Sequence, residues 1–163
     1  GELFKVSRDT AREMIQGFMG LRGHIEFIKK VSGIDYYNDA SSNSPISTLS
    51  ALKTLSNNRN VVLIFGGAYT GHDYDELLNN LSQYACSLIL ISGSGTIGLR
   101  DKINQIDDIN CIHVLNLEQA VIKSKEIAKK GDIVLFSPGF DAVGVDISRK
   151  ERGDRFVKAV RNL

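Results

Sequence analysis

The chain has 163 residues, 42% of them hydrophobic and 24% charged, which suffices for one well-buried core and is too little for two. Its 20 basic and 19 acidic side chains leave a formal charge of +1, so no broad field gathers nucleic acid or an anionic membrane surface, and any anionic ligand must be held by local groups. The longest apolar runs, Val61 to Phe65 and Ser87 to Ser92, fall far short of the roughly 20 residues that span a bilayer, and without a signal h-region the chain reads as cytoplasmic.

In chain order, Ser7 to Met19 carries an N-cap serine and apolar Ala11, Met14, Ile15 and Phe18 at helical spacing, which predicts a lead-in helix. His24 to Lys30 and Ile34 to Asn38 flank the turn residues Ser32 and Gly33 and read as a β-hairpin. A regular alternation follows: helix Pro45 to Leu55, strand Val61 to Phe65, helix Tyr74 to Leu81, strand Ser87 to Ser92, helix Ile97 to Ile106, strand Cys111 to Leu115, helix Leu117 to Lys129, strand Asp132 to Phe136, helix Glu151 to Asn162. Continuous apolar strands separated by helices predict an α/β fold, a Rossmann-like, mostly parallel sheet with helices on both faces and the hairpin at its start. Cys86 and Cys111 have no second Cys or His at metal-ligand spacing and read as buried, unpaired thiols.

Five loops leave the carboxyl ends of strands, where open parallel sheets bind ligands: Asp39 to Ser44, Gly66 to Asp73, Gly93 to Gly98, Asn116, and Ser137 to Lys150. The first packs hydroxyls, an amide and a carboxylate ahead of a helix, which suits either an elaborate N-cap or an anion site. The second holds three glycines, which permit close backbone approach or simply a flexible turn. Gly93-Ser94-Gly95-Thr96-Ile97-Gly98 matches the dinucleotide fingerprint, with Glu118 some way beyond. Its place after a preceding strand-helix unit, and Glu118 in the first turn of a helix, argue against nicotinamide or flavin. There is no Gly-x-x-x-x-Gly-Lys-[Ser/Thr], so the chain has no P-loop for a nucleoside triphosphate. His24, His72 and His113 are scattered, and Ser137 lacks a nucleophile elbow, so no hydrolytic triad is expected and no catalytic residue is assigned.

Taken in order, Gly20-Leu21, Ile25-Glu26-Phe27, Tyr37-Asn38-Asp39, Ser47-Thr48, Ala51-Leu52, Gly66-Gly67 with Asp73-Tyr74, Gly131-Asp132, Ser137-Pro138 and Arg152-Gly153-Asp154-x-Phe156 resemble the C-terminal domain of the Mur ligases. These are ATP-dependent enzymes that build the peptidoglycan stem peptide, and the likeness is greatest to the D-glutamate-adding branch. The resemblance implies that residues 20–163 are that C-terminal domain and that 1–19 form the tail of a central ATPase domain. It also implies ATP and Mg2+ in the whole enzyme, held mainly by the central domain, and a first domain for the UDP-sugar peptide precursor. ATP would phosphorylate the precursor carboxylate and the amine of D-glutamate would attack the acyl phosphate. The isolated chain would bind and clamp, as a monomer, without ligase activity.

The resemblance assigns ATP contact to Asp39, to His24 at the position where the family carries an arginine, and to nearby Arg22. It assigns the amino acid to Ser41 and Asn43, which stand where the family has lysine and threonine, to Thr70 at a second lysine position, to Ser137, to Ala142 at a serine position, and to Arg149 as an added cation. No metal ligand is implied. The loss of two lysines leaves open a less charged amino acid on the same scaffold, or a non-catalytic binding domain.

Overall fold

The computed structural model describes residue 7 and residues 20–69, 71–141 and 148–163. The lead-in helix expected up to Met19 therefore lies outside the described residues, apart from Ser7. Six strands, β1 (Glu26–Val31), β2 (Ile34–Asn38), β3 (Val61–Phe65), β4 (Ala85–Ile91), β5 (Asn110–Val114) and β6 (Ile133–Phe136), form one sheet in the order β1-β2-β6-β3-β4-β5. The hairpin pair β1 and β2 is antiparallel, and every other neighbouring pair is parallel. The expected α/β sheet is thus observed, with the carboxyl ends of β2 to β6 on one edge.

The helices are α1 (Pro45–Leu55), α2 (Asp75–Tyr84), α3 (Ser94–Gly98), α4 (Arg100–Asn104), α5 (Leu117–Ile127) and α6 (Arg149–Arg161). Strand β3 is wholly buried, and its side chains alternate between two cores because successive Cβ atoms point to opposite faces. Val61, Leu63 and Phe65 join Leu52 of α1, Leu77 and Leu81 of α2 and Ile103 of α4, whereas Val62 and Ile64 join Ala120 and Val121 of α5 and Phe156 and Val160 of α6. The Phe136 and Phe156 rings stack at 5.0 Å and fix α6 to the central strand.

Several boundaries differ from expectation. The helix expected over Ile97 to Ile106 is two short helices broken at Leu99, which caps α3 with φ −100° and ψ 1°. Helix α2 runs directly into β4 at Ala85, two residues before the expected strand start. Helix α6 begins at Arg149 because the Ser148 hydroxyl accepts the Glu151 N–H at 3.1 Å. Cys86 and Cys111 are free but only half-buried, and burial raises both thiol pKa values.

Candidate functional site

Strand order reverses beside β3: β4 and β5 extend away on one side, while β6 returns on the other. The switch-point crevice expected between the carboxyl ends of β3 and β6 is closed here by the chain itself. Gly66 N–H donates to Pro138 O at 3.1 Å and Ala68 N–H to Asp141 O at 3.2 Å, extending the pairing beyond the strands. Phe140 lies fully buried between Phe65 and Tyr74, at ring distances of 4.7 and 4.8 Å, and the Tyr74 hydroxyl donates to Gly139 O at 2.9 Å. Ligand space is therefore divided into two clefts, one on the β2 side of this plug and one on the β4 side, with α6 between them.

The β2-side cleft has a volume of about 340 Å³ and brings together Arg22, Ser41 and Arg149 with Asn38, Lys150 and Asp154. Residues expected to meet ATP and residues expected to meet the amino acid thus share one wall. Gly153 favours the arrangement, because a Cβ there would stand 3.2 Å from Ala40 Cβ and 3.3 Å from Asn38 Nδ2, so a side chain would require these neighbours to give by a few tenths of an ångström. The charges are largely matched: Arg22 Nη2 meets Asp154 Oδ1 at 2.8 Å, and Arg149 meets Asp141 at 3.3 Å. Both pairs are partly exposed and contribute little to stability. Lys150, by contrast, is in no ion pair among the described residues.

Asp39 sits beneath this cleft and is only 2% exposed. Its Oδ2 accepts the Ser137 hydroxyl at 2.8 Å, and its Oδ1 accepts the Ile25 N–H at 3.2 Å. Burial raises the Asp39 pKa above its ordinary value, against the lowering effects of hydrogen bonds from Ser42, Ser137 and Ile25 and of His24. Ile25 has φ 48°, a costly left-handed conformation for a β-branched residue, and its N–H is held there by Asp39.

The remaining assigned residues are placed as follows. His24 is exposed, its N–H bonded to Leu21 O, and lies near Asp39 without lining the cleft. Asn43 is half-buried just before the N-cap Ser44 of α1, also outside the cleft lining. Ser137 is fully buried, 2.8 Å from Asp39 and 2.9 Å from Thr48 Oγ1, so its hydroxyl holds Asp39 in place and does not face the open cleft. Thr70 and Ala142 lie outside the described residues.

Sequence reasoning gave no role to Arg152, which is buried at 6% exposure and reaches both Ala40 O at 3.1 Å and Phe140 O at 3.4 Å. It ties the loop after β2 to the loop after β6. The signal was an arginine four residues before Phe156, on the buried stripe of α6.

The β4-side cleft is larger, about 450 Å³, and is bordered by the loops after β3, β4 and β5 and by α6. Of the fingerprint glycines, Gly93 lines it and Gly95 packs against Phe140. A Cβ on Gly95 would overlap the Phe140 ring and one on Gly93 would stand 2.8 Å from Gly67 O, so both are small because loops pack there. Glu118 is held by Arg155 in a bidentate pair at 2.7 and 2.9 Å. Burial would raise the Glu118 pKa, but the Arg155 hydrogen bonds and charge outweigh it and leave it lowered. Neither feature serves a dinucleotide.

Comparison with known proteins accounts for this edge. Residues 23–140 match the family model of the Mur ligase, glutamate ligase domain. The chain is 32% identical over 151 residues, 93% of its length, to the UDP-N-acetylmuramoylalanine--D-glutamate ligase of Pseudothermotoga lettingae, and 32% identical over 160 residues to that of Clostridioides difficile. It spans about a third of the length of these curated relatives, 34% and 35%. Among solved structures, the UDP-N-acetylmuramate-alanine ligase of Thermotoga maritima superposes with a TM-score of 0.65 at 15% identity, covering 99% of this chain and 35% of that one. The ligase MurF of Thermotoga maritima, in complex with ADP, superposes with a TM-score of 0.55 at 16% identity, covering 90% of this chain and 32% of that one. These two likenesses concern the fold. By sequence and fold together, the chain belongs to the Mur ligase family, as its glutamate ligase domain.

Proposed function

We propose that the chain is the C-terminal, amino-acid-binding part of an ATP-dependent ligase that adds D-glutamate to UDP-MurNAc-L-alanine through an acyl phosphate. The observation that carries this reading is the β2-side cleft, which Arg22, Ser41, Arg149 and Lys150 line above the buried Asp39-Ser137 pair, in a chain whose relatives bear that activity in their names. A dicarboxylate amino acid needs cations, since charge-assisted hydrogen bonds are roughly twice as strong as neutral ones. Lys150 is the cleft cation without a carboxylate partner among the described residues, and we assign it one substrate carboxylate. Arg149 would join it once Asp141 is displaced.

In this reading the domain orients and does not form covalent bonds. Asp39, braced by Ser137 and Ile25, with His24 and Arg22 above it, would receive the polar part of ATP. No cluster of three His, Cys, Asp or Glu side chains suited to a metal exists among the described residues, so Mg2+ would be held elsewhere in the enzyme. Mg2+ supplies charge neutralisation of the transferring phosphoryl group when bound. Fixing amine and acyl phosphate in line accounts for what the cleft contributes.

A second reading keeps the scaffold with a less charged amino acid, favoured by the hydroxyl of Ser41 and by the Arg149-Asp141 pair. Phosphate release by the full-length enzyme, with ATP, UDP-MurNAc-L-alanine and a panel of amino acids, separates the two. Turnover with D-glutamate supports the first, turnover with another amino acid alone moves the assignment to the second, and no turnover with any leaves a non-catalytic binding domain.

A further inference from the structure

We propose that the β4-side cavity is a second ligand site, for a small anion that carries an apolar body. Arg152 and the amino end of α5 would receive the anion; Tyr69, Leu115 and Leu117 would receive the body. This goes beyond the amino-acid and ATP contacts of the other cleft and does not depend on them.

The anion end rests on a count of donors. A guanidinium presents five N–H groups, and among the described residues Arg152 donates to two acceptors, Ala40 O and Phe140 O, at 3.1 to 3.4 Å, with the Asp141 charge acting on it as well. Its Nε is buried without a hydrogen-bond partner among the described residues. No carboxylate of the described residues lines the cavity, and burial lowers the Arg152 pKa to about 10, which leaves it charged at neutral pH. The other arginine of the wall, Arg155, is committed to Glu118. Across the cavity stands the first turn of the 11-residue helix α5, where Asn116 caps only Gln119. The Glu118 N–H is engaged by the Glu118 carboxylate of the same turn, which leaves the Leu117 N–H at the helix end, without a helix carbonyl within reach and favouring negative charge.

The apolar end is equally defined. Ile91, Leu117 and Phe136 form the inner wall, while Tyr69 and Leu115 stand 52% and 74% exposed at the mouth. Two large apolar side chains flanking a cavity mark a surface that a ligand covers. A free amino acid fits poorly, because its ammonium group meets no carboxylate among the described residues of this wall, and a cation is repelled by both Arg152 and the helix end.

The test is calorimetric titration of the 163-residue chain with phenyl phosphate, phenylacetate and inorganic phosphate. Saturable one-to-one binding of at least one aromatic anion, at least tenfold tighter than inorganic phosphate, is expected. A preference for phenyl phosphate identifies phosphate monoesters as the natural source, and a preference for phenylacetate identifies carboxylates. Leu115→Glu, which places a negative charge at an exposed position, should weaken binding at least tenfold, as should Arg152→Met. The distant charge control Lys129→Met should stay within twofold. Because Arg152 also ties two loops, Leu115→Glu keeps the test decisive if Arg152→Met does not fold. Absence of saturation by either aromatic anion, binding of inorganic phosphate as tight as theirs, or unchanged affinity in Leu115→Glu would overturn the proposal. No ligase turnover is read, so its failure leaves the proposed function standing, and the reverse also holds.

Discussion

Asp39 shows how one carboxylate is held at a thermodynamic cost. Its burial raises its pKa above the ordinary 3.8, so the folded chain binds a proton there more tightly than the unfolded chain. Stability on this account falls as pH rises from about 3.8 through the folded value and stays lower above it. Asp39→Asn keeps one oxygen acceptor for its donors and removes the buried charge. Urea unfolding at pH 4 and pH 6 should show a smaller decline in stability for the variant than for the parent; an unchanged decline would remove Asp39 as its source. Lys150 makes the complementary case, because its charge is uncommitted. In the full-length enzyme, Lys150→Ala should raise KM for the acceptor amino acid about tenfold, the worth of a charge-assisted hydrogen bond, with kcat changed less than threefold. At this scale the sequence was partly legible. Asp39, Arg22, Ser41 and Arg149 do converge, whereas Ser137 reads as a ligand residue until its burial against Asp39 and Thr48 is known. Burial of that kind depends on residues 98 and 89 positions away in the chain and leaves no local mark.

The elements show why some boundaries could be read and others could not. Strands β3 and β6 are apolar runs covered on both faces, and their positions follow from composition alone. Helix α6 begins earlier than expected although Ser148 and Glu151 form the Ser-x-x-Glu signature, because Arg149, Lys150 and Glu151 resemble a solvated loop. Ser148→Ala should cost about 1 kcal/mol in global stability through loss of the cap, measured by denaturant unfolding. The role of the glycines ahead of the α3–α4 break was hidden for a different reason: a known fingerprint invites a ligand explanation, and only the fold reveals that Gly95 makes room for the Phe140 ring and Gly93 for Gly67 O. Gly95→Ala should therefore destabilise the fold by about 1 to 3 kcal/mol through overpacking. A neutral effect would show that Phe140 can move aside.

Across the whole molecule, the sheet separates two cores that share strands but not helices. Leu81→Ala on the α2 face and Val160→Ala on the α6 face should add within about 0.5 kcal/mol in a double-mutant cycle; a larger coupling would mean that the sheet transmits packing changes between its faces. The strand order has a consequence for how the chain is made. Strand β6, which leaves the ribosome after the other five strands of the sheet, occupies its middle, between β2 and β3. Until Ile133 to Phe136 emerges, the hairpin β1-β2 and the three-strand unit β3-β4-β5 have no ladder joining them, and each exposes a backbone edge able to pair with other chains. A nascent polypeptide stalled before residue 133 is therefore two open sheets on one tether, and these four residues act as the keystone laid last.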